Sequence, residues 1–358
     1  MNSESIIISG IQQIGIGVTN VHEAWKWYRD NFGLDIKVFE ESAVASFMLP
    51  YTGGKPQTRH AALAVNLQGG GGFEIWQYTG RTPVPPAFEI QMGDLGIYSA
   101  KIKVKNVKQT WDAFKLRNLD ITNLSSGPDG TDSFFIHDPY HNIFQIVEGT
   151  GWFREENKLT GGSYGAIIGV SNITRARKLY SEILGFDQLI FDREGKFDDF
   201  SQLPGGKGTF RRVLLGSSSN WKGSFSALLG PARIELVQSL DRIPRKIFEN
   251  RFWGDLGFIH LCFDIHGMSG MEKKCKLLGF PFTVDSSASQ KGEIFDMGEA
   301  AGNFSYIEDP DGTLIEFVET HKVPIAKKYG LNLNMAKRDP RKSLPKWMIS
   351  AMRVNRVK

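Results

Sequence analysis

The chain has 358 residues, 41% of them hydrophobic and 23% charged, with a formal net charge of +4, which excludes wholesale disorder and suggests two domains. No run approaches the roughly 18 consecutive apolar residues of a membrane-spanning helix, and MNSESIIISG lacks the parts of an export signal, so a cytoplasmic protein with no membrane partner is expected. Its two cysteines, Cys262 and Cys275, make neither a disulfide framework nor a paired-cysteine zinc site, which suits a reducing compartment.

The first element is an apolar strand, Ile11–Val18. The helix after it opens on Asn20 as a cap and ends at Gly33. Gly69–Gly72 reads as a turn before the strand FEIWQY, and the proline-rich RTPVPPAFE (81–89) as a loop. A second strand–helix opening starts with Ile97–Val104, and its set of strands ends with IFQIVEG. Gly149–Gly162 reads as a linker. A third opening has strand Gly165–Val170, a helix between Asn172 and Gly185, and a last strand RIELVQS. A fourth has strand Phe258–Ile265, a helix ending at Gly279, and a last strand TLIEFVE. The segment His321–Lys358 then carries eleven Lys/Arg against one acid, Asp339. Its net +10 leaves residues 1–320 at −6. Leu344, Trp347, Met348, Ile349, Met352 and Val354 recur at helical spacing behind Pro345, which predicts a short amphipathic helix over 345–356 docked on the body. No nucleic-acid motif accompanies this basic tail, so no nucleic-acid partner is expected.

Two internal repeats organise these elements. IGVTNVHEAWKWYRDNFGLD from Ile16 matches IGVSNITRARKLYSEILGFD from Ile168 at a constant offset of 152, and GDLGIYSAKIKV from Gly93 matches GDLGFIHLCFDI from Gly254 at an offset of 161. Each module reads as βαβββ. The expected class is α+β, with four modules paired into two cupped mixed β-sheets carrying their helices outside. Chain order places modules 1 and 2 in one domain (1–152), modules 3 and 4 in a second (160–322), and a basic tail at 323–358.

The strand–helix openings, together with the DP turns of DPYHNIFQIVE (138–148) and DPDGTLIEFVE (309–319), resemble the vicinal-oxygen-chelate superfamily. This group includes glyoxalase I, methylmalonyl-CoA epimerase, extradiol dioxygenases and bleomycin-resistance proteins, and the resemblance spans residues 10–320. It implies that each pair of modules curls around a divalent metal, with one ligand position on the first strand and one on the last strand of each module. Carried over residue by residue, the first-strand positions are Gln13, Ser99, Gly165 and His260, and the last-strand positions are Glu74, Gln145, Glu235 and Glu316.

With modules paired in chain order, the first half is expected to be metal-free and Glu74 to be a polar cavity residue. The metal then falls to Glu235, His260 and Glu316, with Glu235 and Glu316 as catalytic carboxylates and Glu235 as the base. Strand alternation sets Ile259, Leu261, Phe263 and Ile265 on the helix side and Phe258, His260 and Cys262 inside the cup. His22, His60, His137, His141, His266 and His321 fall outside the ligand positions and read as surface or loop residues. One imidazole and two carboxylates suit Zn, Ni, Co, Mn or Fe(II). The resemblance implies an isomerase or lyase acting on a small oxygen-rich carbonyl compound. The alternatives are a ring-cleaving Fe(II) dioxygenase, which the absence of histidine at Gly165 disfavours, and a non-catalytic small-molecule-binding protein. Two cups within one chain permit a monomer, and a homodimer is the other arrangement.

Overall fold

A computed structural model describes residues 5–287, 295–296, 301–326, 331–335 and 338–358. Module 1 comprises β1 (Ile7–Gly17), α1 (Val21–Phe32), β2 (Ile36–Ala45), β3 (Gln57–Val65) and β4 (Gly72–Tyr78). Module 2 comprises β5 (Gly96–Val104), α2 (Val107–Leu116), β6 (Ser125–Ser126), β7 (Asp132–His137) and β8 (Ile143–Glu148). Module 3 comprises β9 (Thr160–Gly169), α3 (Ile173–Arg177), β10 (Gln188–Gly195), β11 (Phe210–Gly216), the short α4 (Ser226–Leu229) and β12 (Arg233–Ser239). A wider π-type turn, Lys178–Ile183, prolongs α3. Module 4 comprises β13 (Gly257–His266), α5 (Met268–Leu278), β14 (Val284–Asp285), β15 (Phe295–Asp296), β16 (Ala301–Glu308) and β17 (Leu314–Ala326).

The expected caps are in place. The Asn20 side chain accepts from the His22 and Glu23 amides, and Asn172 accepts from the Arg175 amide. Asn106 does the same for α2 through the Gln109 amide. Gly33 ends α1 at φ 62°, a conformation that favours a residue without Cβ.

The strands form two mixed sheets. One runs β14-β16-β17-β13-β1-β4-β3-β2, with β15 on β16. The other runs β10-β11-β12-β9-β5-β8-β7-β6. First strands pair antiparallel at the centre of each sheet, β1 with β13 and β5 with β9, and each lies parallel to the last strand of its own module. The expected grouping by chain order, modules 1 and 2 over 1–152 and modules 3 and 4 over 160–322, is therefore corrected: module 1 shares a sheet with module 4, and module 2 with module 3. A repeat shows that one first strand pairs with another, but four similar strands carry no mark of which copy is the partner.

The outer faces of both sheets and their helices enclose one continuous apolar core, to which β1 gives Ile11, Ile14 and Ile16 and β9 gives Ala166 and Ile168. Two buried tyrosines tie the sheets together. Tyr28 of α1 donates to Asp138 Oδ2 at 2.6 Å, in the turn before β8, and Tyr180 donates to Asp309 Oδ2 at 3.0 Å, in the turn before β17. Each bond joins a helix on one sheet to a DP turn on the other. Burial pushes the Asp309 carboxyl up to about 6, so it depends on its donors, which include the Asp311 and Thr313 amides. Tyr180→Phe removes one donor from a buried acceptor and is expected to cost about 1–3 kcal/mol in a urea unfolding curve. A loss within a few tenths of a kcal/mol would show that the turn holds without it.

The tail folds back on the body. Strand β18 (Leu331–Asn334) pairs with β17, which itself runs beyond residue 322. The predicted helix appears as α6 (Lys346–Ser350) continued by a 3₁₀ turn, Ala351–Asn355. Leu344 and Ile349 are buried with Leu228 and Leu229, whereas Trp347 and Val354 stay exposed. Arg356 grips Asp35 and Glu156, so part of the tail's charge is spent inside the chain. Lys327, Lys328 and Lys337 lie outside the described residues.

Candidate metal centre

The concave face of the β1–β13 sheet collects four polar side chains from four strands: Gln13 on β1, Glu74 on β4, His260 on β13 and Glu316 on β17. All are buried. His260 Nε2 lies 3.1 Å from Glu316 Oε2 and 3.5 Å from Glu74 Oε2. Gln13 Nε2 donates to the same two oxygens at 3.4 Å each. One ligand atom from each of Glu74, His260 and Glu316 falls within 4.8 Å of the others.

The donor set fits a divalent cation on chemical grounds. Gln13 Oε1 and His260 Nδ1 are buried without a hydrogen-bond partner, and two carboxylates face one another across the single imidazole nitrogen Nε2. Orphaned buried acceptors beside paired anions are costly unless a proton or a cation satisfies them.

Burial lowers the proton affinity of His260, but the Glu316 and Glu74 charges outweigh it and hold the imidazole above its ordinary value. Burial raises Glu316, yet the His260 imidazolium outweighs that and keeps this carboxyl low. Glu74 is raised to about 7, chiefly by burial, with His260 opposing and Glu316 adding to the rise. Without metal, the cluster therefore balances itself with the imidazolium proton, which a metal ion must displace.

A bulge places His260. Gly15 pairs with His260 but Ile16 pairs with Phe258, so β13 carries one extra residue at Ile259. This corrects the expected alternation. Phe258 turns into the helix core, where it meets Phe144 edge-on at 5.3 Å, and Ile259 joins the aromatic lining of the cup. His260 and Cys262 stay inside, as expected. Trp253 stacks over the His260 ring at 6.2 Å and 9°, and Tyr306 meets it edge-on at 5.6 Å. Gly15 lies beneath the imidazole, and a Cβ there would overlap three ring atoms. Gly15→Ala is accordingly expected to displace His260, costing about 1–3 kcal/mol in stability and weakening metal uptake in the same protein. Unchanged metal affinity in this variant would contradict the placement of the ring.

Glu235 lies elsewhere, on β12 of the second sheet. This corrects its expected place beside His260 and Glu316. Its Oε2 accepts from Lys101 Nζ at 2.8 Å and its Oε1 from Arg212 Nε at 2.8 Å, and Arg212 also forms a bidentate pair with Asp199 at 2.7 and 2.8 Å. Lys101 further bonds Gln145 Oε1. Burial works against the Glu235 carboxylate, but the two cations outweigh it and hold the group down at about 2. Such a group is neither a base near neutral pH nor short of a cation. Glu74, expected to be only a polar cavity residue, takes the place assigned to Glu235.

The contrast between the sheets is one of space and charge. Lys101 corresponds by the repeat offset to Cys262. Arg212 stands two residues before Leu214, which pairs with Glu235 as Leu63 pairs with Glu74, so its counterpart is Ala61. The second sheet fills its cup with an ammonium and a guanidinium. The first sheet leaves small residues there, and its carboxylates keep only an imidazole.

Neither family models nor curated protein sequences give a match to this chain. Solved structures do. Glyoxalase I from Zea mays is 14% identical, with a TM-score of 0.50 over 88% of this chain and 93% of that one. A putative dioxygenase from Bacillus subtilis is also 14% identical, with a TM-score of 0.54 over 98% and 97%. The fold is that of these glyoxalase and dioxygenase structures. At the positions singled out in the sequence, the first sheet brings together Gln13, Glu74, His260 and Glu316, and the second carries Ser99, Gln145, Gly165 and Glu235. Among the described residues no helix is long and apolar enough to cross a membrane. Both cysteines are buried free thiols.

Proposed function

We propose that the chain is a divalent-metal-dependent isomerase or lyase acting on a small carbonyl compound with two neighbouring oxygens. The observation that supports this most strongly is the convergence of Gln13, Glu74, His260 and Glu316, with two buried carboxylates sharing one imidazole and Gln13 Oε1 left without a hydrogen-bond partner. These four residues hold the ion, which when bound polarises the substrate's carbonyl and so acidifies the adjacent C–H. Zn, Ni, Co, Mn and Fe(II) all suit such mixed N/O donors.

The chain's own residues divide the remaining work. Glu316, the carboxylate nearer His260, stays ionised and anchors the site. Glu74 is held less closely, at 3.5 Å rather than 3.1 Å, and takes the proton from the carbon beside the carbonyl and returns it to the neighbouring carbon. Trp253, Tyr306 and Ile259 form an apolar wall that keeps water from that exchange. Because the first-strand position opposite His260 is Gln13, this set has one imidazole, which counts against the two-histidine ring-cleaving dioxygenase.

The reading is tested by stripping the protein with a chelator and reloading single metals. Solvent-deuterium incorporation into α-hydroxy-carbonyl and α-oxo-carbonyl probes is then followed by NMR. Incorporation is expected only with metal and is expected to disappear in Glu74→Gln, which should still retain the ion. Full exchange in the stripped protein would overturn the proposal.

A further inference from the structure

A second group of candidate ligands lies outside this cup, at the β2 edge of the same sheet. His22 stands in the first turn of α1, Glu40 on the edge strand β2 and His60 on β3. Register brings them together: His60 pairs across the strands with Ser42, which shares a face with Glu40 two residues earlier. The α1 cap then sets His22 against the same spot, with the two imidazole centroids 5.4 Å apart.

One carboxylate oxygen faces both rings. Glu40 Oε1 lies 3.6 Å from His22 Nδ1 and 3.5 Å from His60 Nε2. The other oxygen, Oε2, is taken by Lys37 Nζ at 3.1 Å, which fixes the carboxylate's orientation. Ser42 Oγ holds His60 Nδ1 at 2.9 Å, and with that nitrogen as the donor Nε2 carries the lone pair. His60 Nε2 is shielded from water and has no hydrogen-bond partner. In that tautomer a lone pair and a carboxylate oxygen face each other at 3.5 Å, an arrangement that a cation between them satisfies. Ligands bound at about 2.0–2.1 Å in a tetrahedron sit about 3.3 Å from one another, close to both separations seen here. The atoms of all three residues already fall within 4.8 Å of one another.

We infer that His22, Glu40 and His60 form a surface zinc site, distinct from the buried cluster, with its fourth position open to solvent. Two imidazoles and one carboxylate are the donors Zn2+ accepts, and the ion would staple the start of α1 to the edge strand β2. The His22 side chain is 70% exposed, so its removal leaves the core untouched. The test titrates Zn2+ into the chelator-stripped full-length protein against a chromophoric competitor, in parallel with His22→Ala and Glu40→Gln. Each variant is expected to bind one equivalent fewer, with affinity at that site at least about 10-fold weaker and metal-free folding unchanged. The readout is the difference between proteins, so it survives failure of the buried cluster to load: the wild type then binds one equivalent and the variants none. Superimposable titrations for wild type and both variants would overturn the inference.

Discussion

Glu235→Gln is expected to destabilise the protein by about 3–5 kcal/mol while leaving metal binding at Glu74, His260 and Glu316 intact. The substitution keeps the shape of the side chain and removes the charge that Lys101 and Arg212 surround. Arg212 keeps its bidentate partner Asp199, but Lys101 is left with only the neutral Gln145 in a site sealed from water. A buried ion network is a modest net contributor when whole and a large liability when one member is lost. The pH dependence follows from the sign of the shift. The Glu235 carboxyl is held below its ordinary value of 4.5, at about 2, so its contribution is fully present above pH 4.5 and is lost as pH falls toward 2. Urea unfolding of both proteins across that range should show a wide gap at pH 7 that closes on acidification, since a protonated glutamate and a glutamine are nearly equivalent here. A gap below 1 kcal/mol at neutral pH, or loss of the metal in this variant, would contradict the separation of the two cups.

How the sequence came to point at Glu235 shows which physical information a single chain carries. The family resemblance singled out Gln13, Glu74, His260 and Glu316 on the first and last strands, and the repeat offsets supported that register for Gln13, Glu74 and His260. Local pattern also placed the caps at Asn20 and Asn172. Which first strand lies against which is a contact across the whole chain: Gln13 and Glu316 are 303 positions apart, and nothing in β1 distinguishes β13 from β5 or β9 as a partner. The signal that would have decided it was charge. Lys101 follows Ser99 by two residues and so shares its inward face, and Arg212 holds the corresponding place on β11. Two cations pointing into a cup argue that its carboxylate is already neutralised, leaving the other cup to need an ion. The bulge at Ile259 was less legible, because an extra residue in a continuous apolar run leaves the composition of the strand unchanged.

His260→Ala tests the other cup, and its expected result is loss of metal binding by at least about 100-fold together with loss of proton exchange. His260 supplies the one nitrogen donor, and in the metal-free protein its imidazolium also holds Glu316 and Glu74 together. Its removal therefore leaves two buried carboxylates facing each other with no cation between them and only the neutral Gln13 amide donating to both. Glu316 is then expected to rise into the range where it takes up a proton, and the metal-free protein should melt below wild type. Gln13→Ala should cost far less affinity, because a neutral amide oxygen is a weak ligand for these metals. Gln13→His, which restores an imidazole at that position, should tighten zinc. The wild-type protein should in turn gain about 2.7 kcal/mol of stability from metal bound in this cup at 100 times its Kd, a contribution that His260→Ala loses and that is read most cleanly in a His22→Ala background. Elemental analysis and melting curves with and without metal read both quantities in one set of samples. One tight equivalent retained by His260→Ala but lost from Glu235→Gln would move the site to the second sheet, and with it the base from Glu74 to another residue.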